Sequence, residues 1–287
     1  MTVERELRTV TDRNGAPPGA ARAPAALSFE IEPDGGDAVV AVVPATDGTR
    51  AFGGHLMALA LRAAARTVAG SGSATPPHAL QARFLRPGTV GERVHLSVER
   101  VRDGRTTSVR RVLVADLAGR LLVTVEVSFR PVGEGVDWSA PADPLVLPAS
   151  TQPNPIVTAT PLAPFEVRAV HGYTRGGPVR LHPYWARLRE PLADDPVLEA
   201  CMLAVLTDIG VSGSARRPGE PMRVQRNAVT LNHSLWVHRR IPPGAWVLVD
   251  VVPETNAGGH AFARGQVRLR DGSAVASFGQ EILLDPA

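Results

Sequence analysis

FGGHLMALALRAAARTV, residues 52–68, is a helix-forming stretch with almost no polar face. Ala, Leu and Met dominate it, and all three favour helix. Only Arg62 and Arg66 clearly want water. A helix that is apolar on most sides has to be enclosed by other structure.

Four strand candidates follow, at about 78–86, 92–102, 106–116 and 120–130. In the second, Val94, Leu96 and Val98 alternate with His95, Ser97 and Glu99. In the fourth, Leu121, Val123, Val125, Val127 and Phe129 share one parity. Alternation of this kind marks a half-buried strand. Asp103-Gly104 and Ala118-Gly119 supply tight connections, as in an antiparallel meander. Two short strand candidates precede the helix, around LSFEIE and AVVAVV, split by the turn signal DGGD.

The same order then recurs. Strand candidates at about 165–170 and 178–189 lead to an apolar helix from Pro196 to Ile209, with Asp195 as its N-cap. Four more strand candidates lie at about 223–238, 245–252, 260–270 and 274–284. One enclosed helix per set of strands predicts an α+β fold of the double-hotdog kind: two curved antiparallel sheets, each wrapped around one apolar helix. The expected organisation is a mobile N-terminal tail at 1–26, a first hotdog at 27–130, a Pro-rich linker at 131–164 and a second hotdog at 165–287.

Composition narrows the function. All 31 basic residues are arginine, net charge is only +3, and the arginines are spread along the chain. A nucleic-acid partner usually leaves a clustered basic footprint, so none is expected. The absence of lysine removes P-loop, Schiff-base and Ser–Lys chemistry. No G-x-S-x-G elbow, G-x-G-x-x-G loop or H-E-x-x-H motif is present, and no metal or cofactor is expected. The segment MTVERELRTV has no apolar signal core, and no run of about 18–20 apolar residues stands out as a membrane span. A single cysteine, Cys201, fits a reducing compartment and a core position. A cytoplasmic protein is expected.

Three polar residues break their local patterns. Asp208 closes ACMLAVLTDIG, residues 200–210, where an acid meets the negative end of a helix inside an apolar run. Desolvation would raise its proton affinity and suit a general base. The helix at 52–68 has no acid at all, which suggests one catalytic acid per pair of halves. Gln280 shares strand parity with Ala276, Phe278, Ile282 and Leu284, so its amide faces an apolar side and needs partners. Thr230 shares parity with Asn232, Ser234, Trp236 and His238, on the more polar side of its strand; either that side lines a site or a bulge intervenes. Gly53-Gly54 opens the first helix, where amides near Gly54 and His55 would suit an oxyanion. A solvent-facing turn, a strand-end amide and a simple loop would need no chemistry, and the pattern alone leaves those readings open.

Longer motifs add to this. AFGGHLMALAL, FLRPG and VRDGRTTSVRRV resemble the first hotdog of the bacterial acyl-CoA thioesterase II family, and LTDIG, VTLNHSLWVHR and ASFGQE resemble its second. The resemblance implies a double hotdog that hydrolyses acyl-CoA without metal or covalent cofactor. It implies a trio of Asp208, Thr230 and Gln280 that positions and activates water. The sequence departs from the family's pattern at His55, where a glutamine is usual, at Asn232, where an aspartate is usual, and at His238-Arg239-Arg240. The expected partner is an acyl-CoA substrate. Arg86, Arg110 and Arg111 are candidates for its phosphates, and sheet edges offer a route to a homo-oligomer. Two alternatives stand beside hydrolysis: a hotdog dehydratase or hydratase using His233 or His55, and a non-catalytic acyl-binding protein.

Overall fold

Both apolar stretches form helices, and both are enclosed. The protein is described by a computed structural model covering residues 29–68, 75–131, 133, 135–140, 146–151, 159–172, 181–190, 192, 194–214 and 228–284. The expected tail at 1–26 lies outside the described residues, as do Pro141, Pro144, Pro153 and Pro155 of the expected linker. Positions 178–180 and 223–227 of two expected strands also lie outside them.

The first half runs β1 (Glu32–Pro33), β2 (Val39–Val42), α1 (Gly53–Arg66), β3 (Pro77–Phe84), β4 (Arg93–Asp103), β5 (Ser108–Asp116) and β6 (Leu121–Phe129). The second runs β7 (Phe165–Ala169), β8 (Tyr184–Leu188), α2 (Pro196–Leu206), α3 (Val211–Ser214), β9 (Ala228–Val237), β10 (Val247–Ala257), β11 (His260–Leu269) and β12 (Ala274–Leu284). The strands order as β1-β2-β4-β5-β6-β3-β9-β12-β11-β10-β8-β7. Read inward from either edge, the two halves give the same succession of elements. The repeat seen in element order is thus a repeat in topology.

One expectation needs correcting. The two sheets are one continuous sheet of twelve strands. β3 and β9 pair antiparallel from Ala79↔Trp236 to Arg83↔Asn232. Each would otherwise be the inner edge of its own half, with a row of unpaired backbone groups. Joining edge to edge satisfies both rows.

The helices meet each other as well as the sheet. Leu56 to Leu61 of α1 are all buried, while Arg62 and Arg66 reach outward as expected. A Cβ built on Gly54 would lie 3.0 Å from both the Ala204 carbonyl oxygen and the Val205 Cα of α2. Cys201 Sγ donates to the Ala58 carbonyl at 3.4 Å, so the cysteine is core, as expected. The two helix backbones therefore touch where small residues allow it. Leu59 is fully buried at this centre. Leu59→Ala should cost about 2–5 kcal/mol of stability, read by chemical denaturation with an unchanged m-value.

Asp195 caps α2 through its Oδ1, accepting from the Val197 and Leu198 amides at 2.8 and 3.1 Å. The helix ends at Leu206, earlier than the expected Ile209, where the Asp208 amide bonds three residues back to the Val205 carbonyl at 3.3 Å. The Thr207 hydroxyl donates to the Leu203 carbonyl and the Tyr184 hydroxyl to that of Leu206, both at 2.8 Å. Gly210 turns the chain at φ +72°, a left-handed conformation, and α3 follows. By length and composition alone Pro196–Gly213 is apolar enough to cross a membrane, but it is broken by this turn and mostly buried inside the protein.

Candidate active site

The turn after α2 carries Asp208 inward, and its side chain is only 5% exposed. Its Oδ2 accepts from the Gly54 amide at 2.8 Å. This contact explains how an acid survives at the negative end of α2. It sits at the positive end of α1, whose N-cap, Phe52, has no side chain able to accept a hydrogen bond. Gly53 is needed for the same approach, since a Cβ there would lie 2.8 Å from Asp208 Oδ2.

Gln280 reaches the other carboxylate oxygen. Ala276, Phe278, Gln280, Ile282 and Leu284 form the buried face of β12, as their parity predicts. Gln280 Nε2 donates to Asp208 Oδ1 at 2.9 Å and to Thr230 Oγ1 at 2.5 Å. Thr230 is turned to this position by a bulge. Asn232 pairs with Glu281 but Thr230 pairs with Ile282, so Leu231 is the extra residue in β9. Beyond the bulge His233 and Leu235 point inward, while Trp236 is exposed. The structure therefore brings Asp208, Thr230 and Gln280 together from a turn and two strands.

The site's electrostatics follow from burial. Desolvation pushes Asp208 up to about 6, and the hydrogen bonds from Gly54 and Gln280 pull the other way. His233 lies beside it, fully buried, with Nδ1 3.8 Å from Asp208 Oδ1. Desolvation pushes His233 down to about 3, so it is neutral at working pH. Its Nε2 lies 3.1 Å from Thr207 Oγ1.

Other expected site features land differently. The Gly54 amide holds Asp208, and the His55 amide donates to the Phe52 carbonyl at 3.1 Å. This pair is thus not an open set of donors for an oxyanion; Gly54 is in the site as the group that positions the acid. The His55 side chain is buried beside the Phe29 and Phe52 rings, and desolvation pushes it down to about 4. Arg110 is fully buried and donates to the Thr67 hydroxyl at 2.7 Å and to the Asp103 carboxylate at 2.5 Å. It fastens the end of α1 and is not available to a phosphate. Arg111 is half-exposed and pairs with Glu99, and Arg86 donates to the Leu121 carbonyl at 3.0 Å.

The sequence misses the setting of one residue and the whole of another. His233 is a candidate in the sequence only for hydration, because only the folded chain sets β9 against the end of α2, where it meets Thr207 and Asp208. Glu199 carried the same signal as Asp208, an acid in an apolar helix. It is buried and accepts from Arg240 Nε and the Ile241 amide, both at 2.9 Å. It lines a cavity of about 540 Å³ with Met202, Leu206 and Val247. At helical spacing those α2 residues lie on the side away from Cys201 and Ala204, which face α1. Among the described residues, no group of three or more His, Cys, Asp or Glu is placed to hold a metal ion.

Comparison with known proteins bears on the family of the chain. Residues 42–130 match the family model described as the acyl-CoA thioesterase N-terminal domain, and residues 141–284 match that of the C-terminal domain. The chain is similar to acyl-CoA thioesterase II TesB2 of Mycobacterium marinum, with TM-score 0.74, 26% identity and coverage of 91% of this chain and 96% of that one. It is 27% identical to acyl-CoA thioesterase 2 of Haemophilus influenzae over 81% of this chain and 87% of that protein. A hot dog fold protein of unknown function from Alicyclobacillus acidocaldarius aligns with TM-score 0.73 at 20% identity, covering 92% of this chain and 99% of that one, which supports the fold alone.

Proposed function

We propose that this chain, which belongs to the acyl-CoA thioesterase II family, hydrolyses acyl-CoA to free acid and CoA thiol with water activated by Asp208. One observation carries this. A single amide nitrogen, Gln280 Nε2, bridges Asp208 Oδ1 and Thr230 Oγ1. Both of its hydrogens are spent holding a base and a hydroxyl side by side. The Thr230 oxygen accepts from Gln280, so its own hydrogen and second lone pair are left for a water molecule.

Asp208 takes the water's proton as the oxygen bonds to the thioester carbon. The tetrahedral intermediate then expels the thiolate, which takes the proton back from Asp208. A carboxylate poised near neutrality suits both transfers better than one at its ordinary value. The α1 N-terminus holds Oδ2 through Gly54 and keeps the carboxylate from turning away.

The test is thiol release from a panel of short, medium and long acyl-CoAs. Turnover is expected, with kcat/KM rising tenfold per pH unit below about pH 6 and levelling above it, because the carboxylate is the active form. No turnover on any member, or a flat profile between pH 5 and pH 8, would contradict the proposal.

A hydratase would need a free imidazole, and neither candidate supplies one. His233 is fully buried with Nε2 engaged by Thr207, and His55 is buried beside two phenylalanine rings. Hydration of an enoyl-CoA without thiol release would restore that alternative.

A further inference from the structure

Thr207 and His233 form a buried pair behind Asp208 that the hydrolytic trio does not use. Both residues are fully buried. The Thr207 oxygen lies 2.8 Å from the Leu203 carbonyl and 3.1 Å from His233 Nε2. A carbonyl can only accept, so the single hydroxyl hydrogen must point at Leu203. The hydroxyl oxygen then faces His233 as an acceptor, and His233 must carry its hydrogen on Nε2. Its Nδ1 is left bare. That nitrogen has no hydrogen-bond partner and lies 3.8 Å from Asp208 Oδ1. The imidazole is held flat by Phe278, with ring planes 1° apart and centroids 5.9 Å apart.

We propose that Thr207 locks His233 in the Nε2–H tautomer, so that a bare Nδ1 and not an N–H faces Asp208, and that this lock sets Asp208 to work as the base. The inference rests on the hydrolytic role of Asp208 proposed above. The opposite tautomer would aim an N–H at the carboxylate and stabilise the anion, weakening it as a base. The locked tautomer gives the anion nothing. When Asp208 has taken the water's proton, Nδ1 is instead an acceptor toward which that O–H can turn. The proton passes from water to Asp208 and then to the departing thiolate, and His233 ends as it began. Thr207 and His233 are positioning residues, since neither is placed to touch substrate.

The groups that face Asp208 can be named from each packed element. α1 presents the Gly54 amide, with buried His55 next in sequence. β12 presents Gln280 and β9 presents Thr230 and His233. On α2, Glu199 lies two turns back and is paired with Arg240, and β8 presents Tyr184 to the Leu206 carbonyl. Among the described residues, His233 is the one basic side chain within 4 Å of the Asp208 carboxylate.

The test uses the full chain with nitrogen-15 histidine, with His233 assigned by comparison with His233→Asn. Two-bond proton–nitrogen spectra should show His233 with a bare Nδ1 in the native protein. Thr207→Val removes the oxygen and should let the Nδ1–H tautomer appear. The Asp208 carboxyl titration, read by carbon-13 NMR, and the acid limb of kcat/KM should then both move down by about one pH unit. Thr207→Ser keeps the hydroxyl and should restore the native tautomer and profile. A native His233 carrying its hydrogen on Nδ1 would overturn the proposal without needing any variant. So would a Thr207→Val protein whose tautomer changes while the Asp208 titration stays put. Failure of the hydrolytic role is separate, because it would appear as undiminished turnover in Asp208→Asn while the tautomer and the carboxyl titration still report on the lock.

Discussion

Asp208→Asn should lower kcat by about a thousandfold, within the range general base catalysis supplies, and should also make the folded protein more stable above pH 6. The sign of the second effect follows from linkage. Burial raises the folded Asp208 to about 6 from an ordinary 3.8. The folded state therefore holds the proton more tightly than the unfolded chain does. Below about pH 4 both states are protonated and nothing is lost. As pH rises from about 4 to about 6 the unfolded chain ionises first, and stability falls. Two pH units correspond to about 3 kcal/mol, fully lost by pH 7.

Asparagine removes that loss and fits the site. Its carbonyl can accept from the Gly54 amide, and its NH₂ can donate to Gln280 Oε1 once that amide turns over. Gln280 Oε1 and His233 Nδ1 both lack a hydrogen-bond donor in the native arrangement. Denaturant unfolding of the two proteins at pH 4 and pH 8 separates the cases. Nearly equal stability at pH 4 and a gain of about 1–3 kcal/mol for Asp208→Asn at pH 8 are expected. A variant less stable than the native protein at pH 8 would mean the carboxylate holds the fold and is not strained by it.

The second large effect is expected at Gly54. An added methyl would lie 2.5 Å from Phe52 Cε1 and 3.0 Å from the α2 backbone at Ala204 and Val205. The phenylalanine ring can swing aside, but the backbone of a packed helix cannot. α1 must draw away from α2, and the Gly54 amide leaves Asp208 with it. Gly54→Ala should therefore cost about 1–3 kcal/mol of stability. It should also lower kcat about a hundredfold, as a small misplacement of a catalytic group does. Gly48→Ala is the control, since its Cβ would meet nothing within 4 Å. A Gly54→Ala enzyme with native kcat and reduced stability would show that the amide does not position the base.

Much of this was legible in the chain, for physical reasons that differ by element. α1 and α2 are apolar nearly all round, so enclosure followed directly. β12 alternates cleanly, and the inward face of Gln280 came with it. Thr230 did not come so cleanly, because the bulge at Leu231 shifts its face relative to Asn232 and Ser234. A single inserted residue leaves no compositional mark. The join between halves was hidden too, since β3 and β9 read as ordinary strands whether or not they pair. The amides of Gly54 and His55 looked open because their acceptors come from Asp208, 154 residues away for Gly54, and from Phe52. Arg110 is a phosphate candidate in the sequence; it shares the buried face of β5 with Val112 and Val114, but parity does not show that its guanidinium caps α1.

The central claim is that Asp208 delivers water to the thioester carbon and forms no bond to it. A single turnover with enzyme in excess over acyl-CoA, run in oxygen-18 water, tests this directly. The expected result is one labelled oxygen in the first free acid and none in Asp208. Unlabelled acid with the label in the Asp208 carboxylate would contradict it.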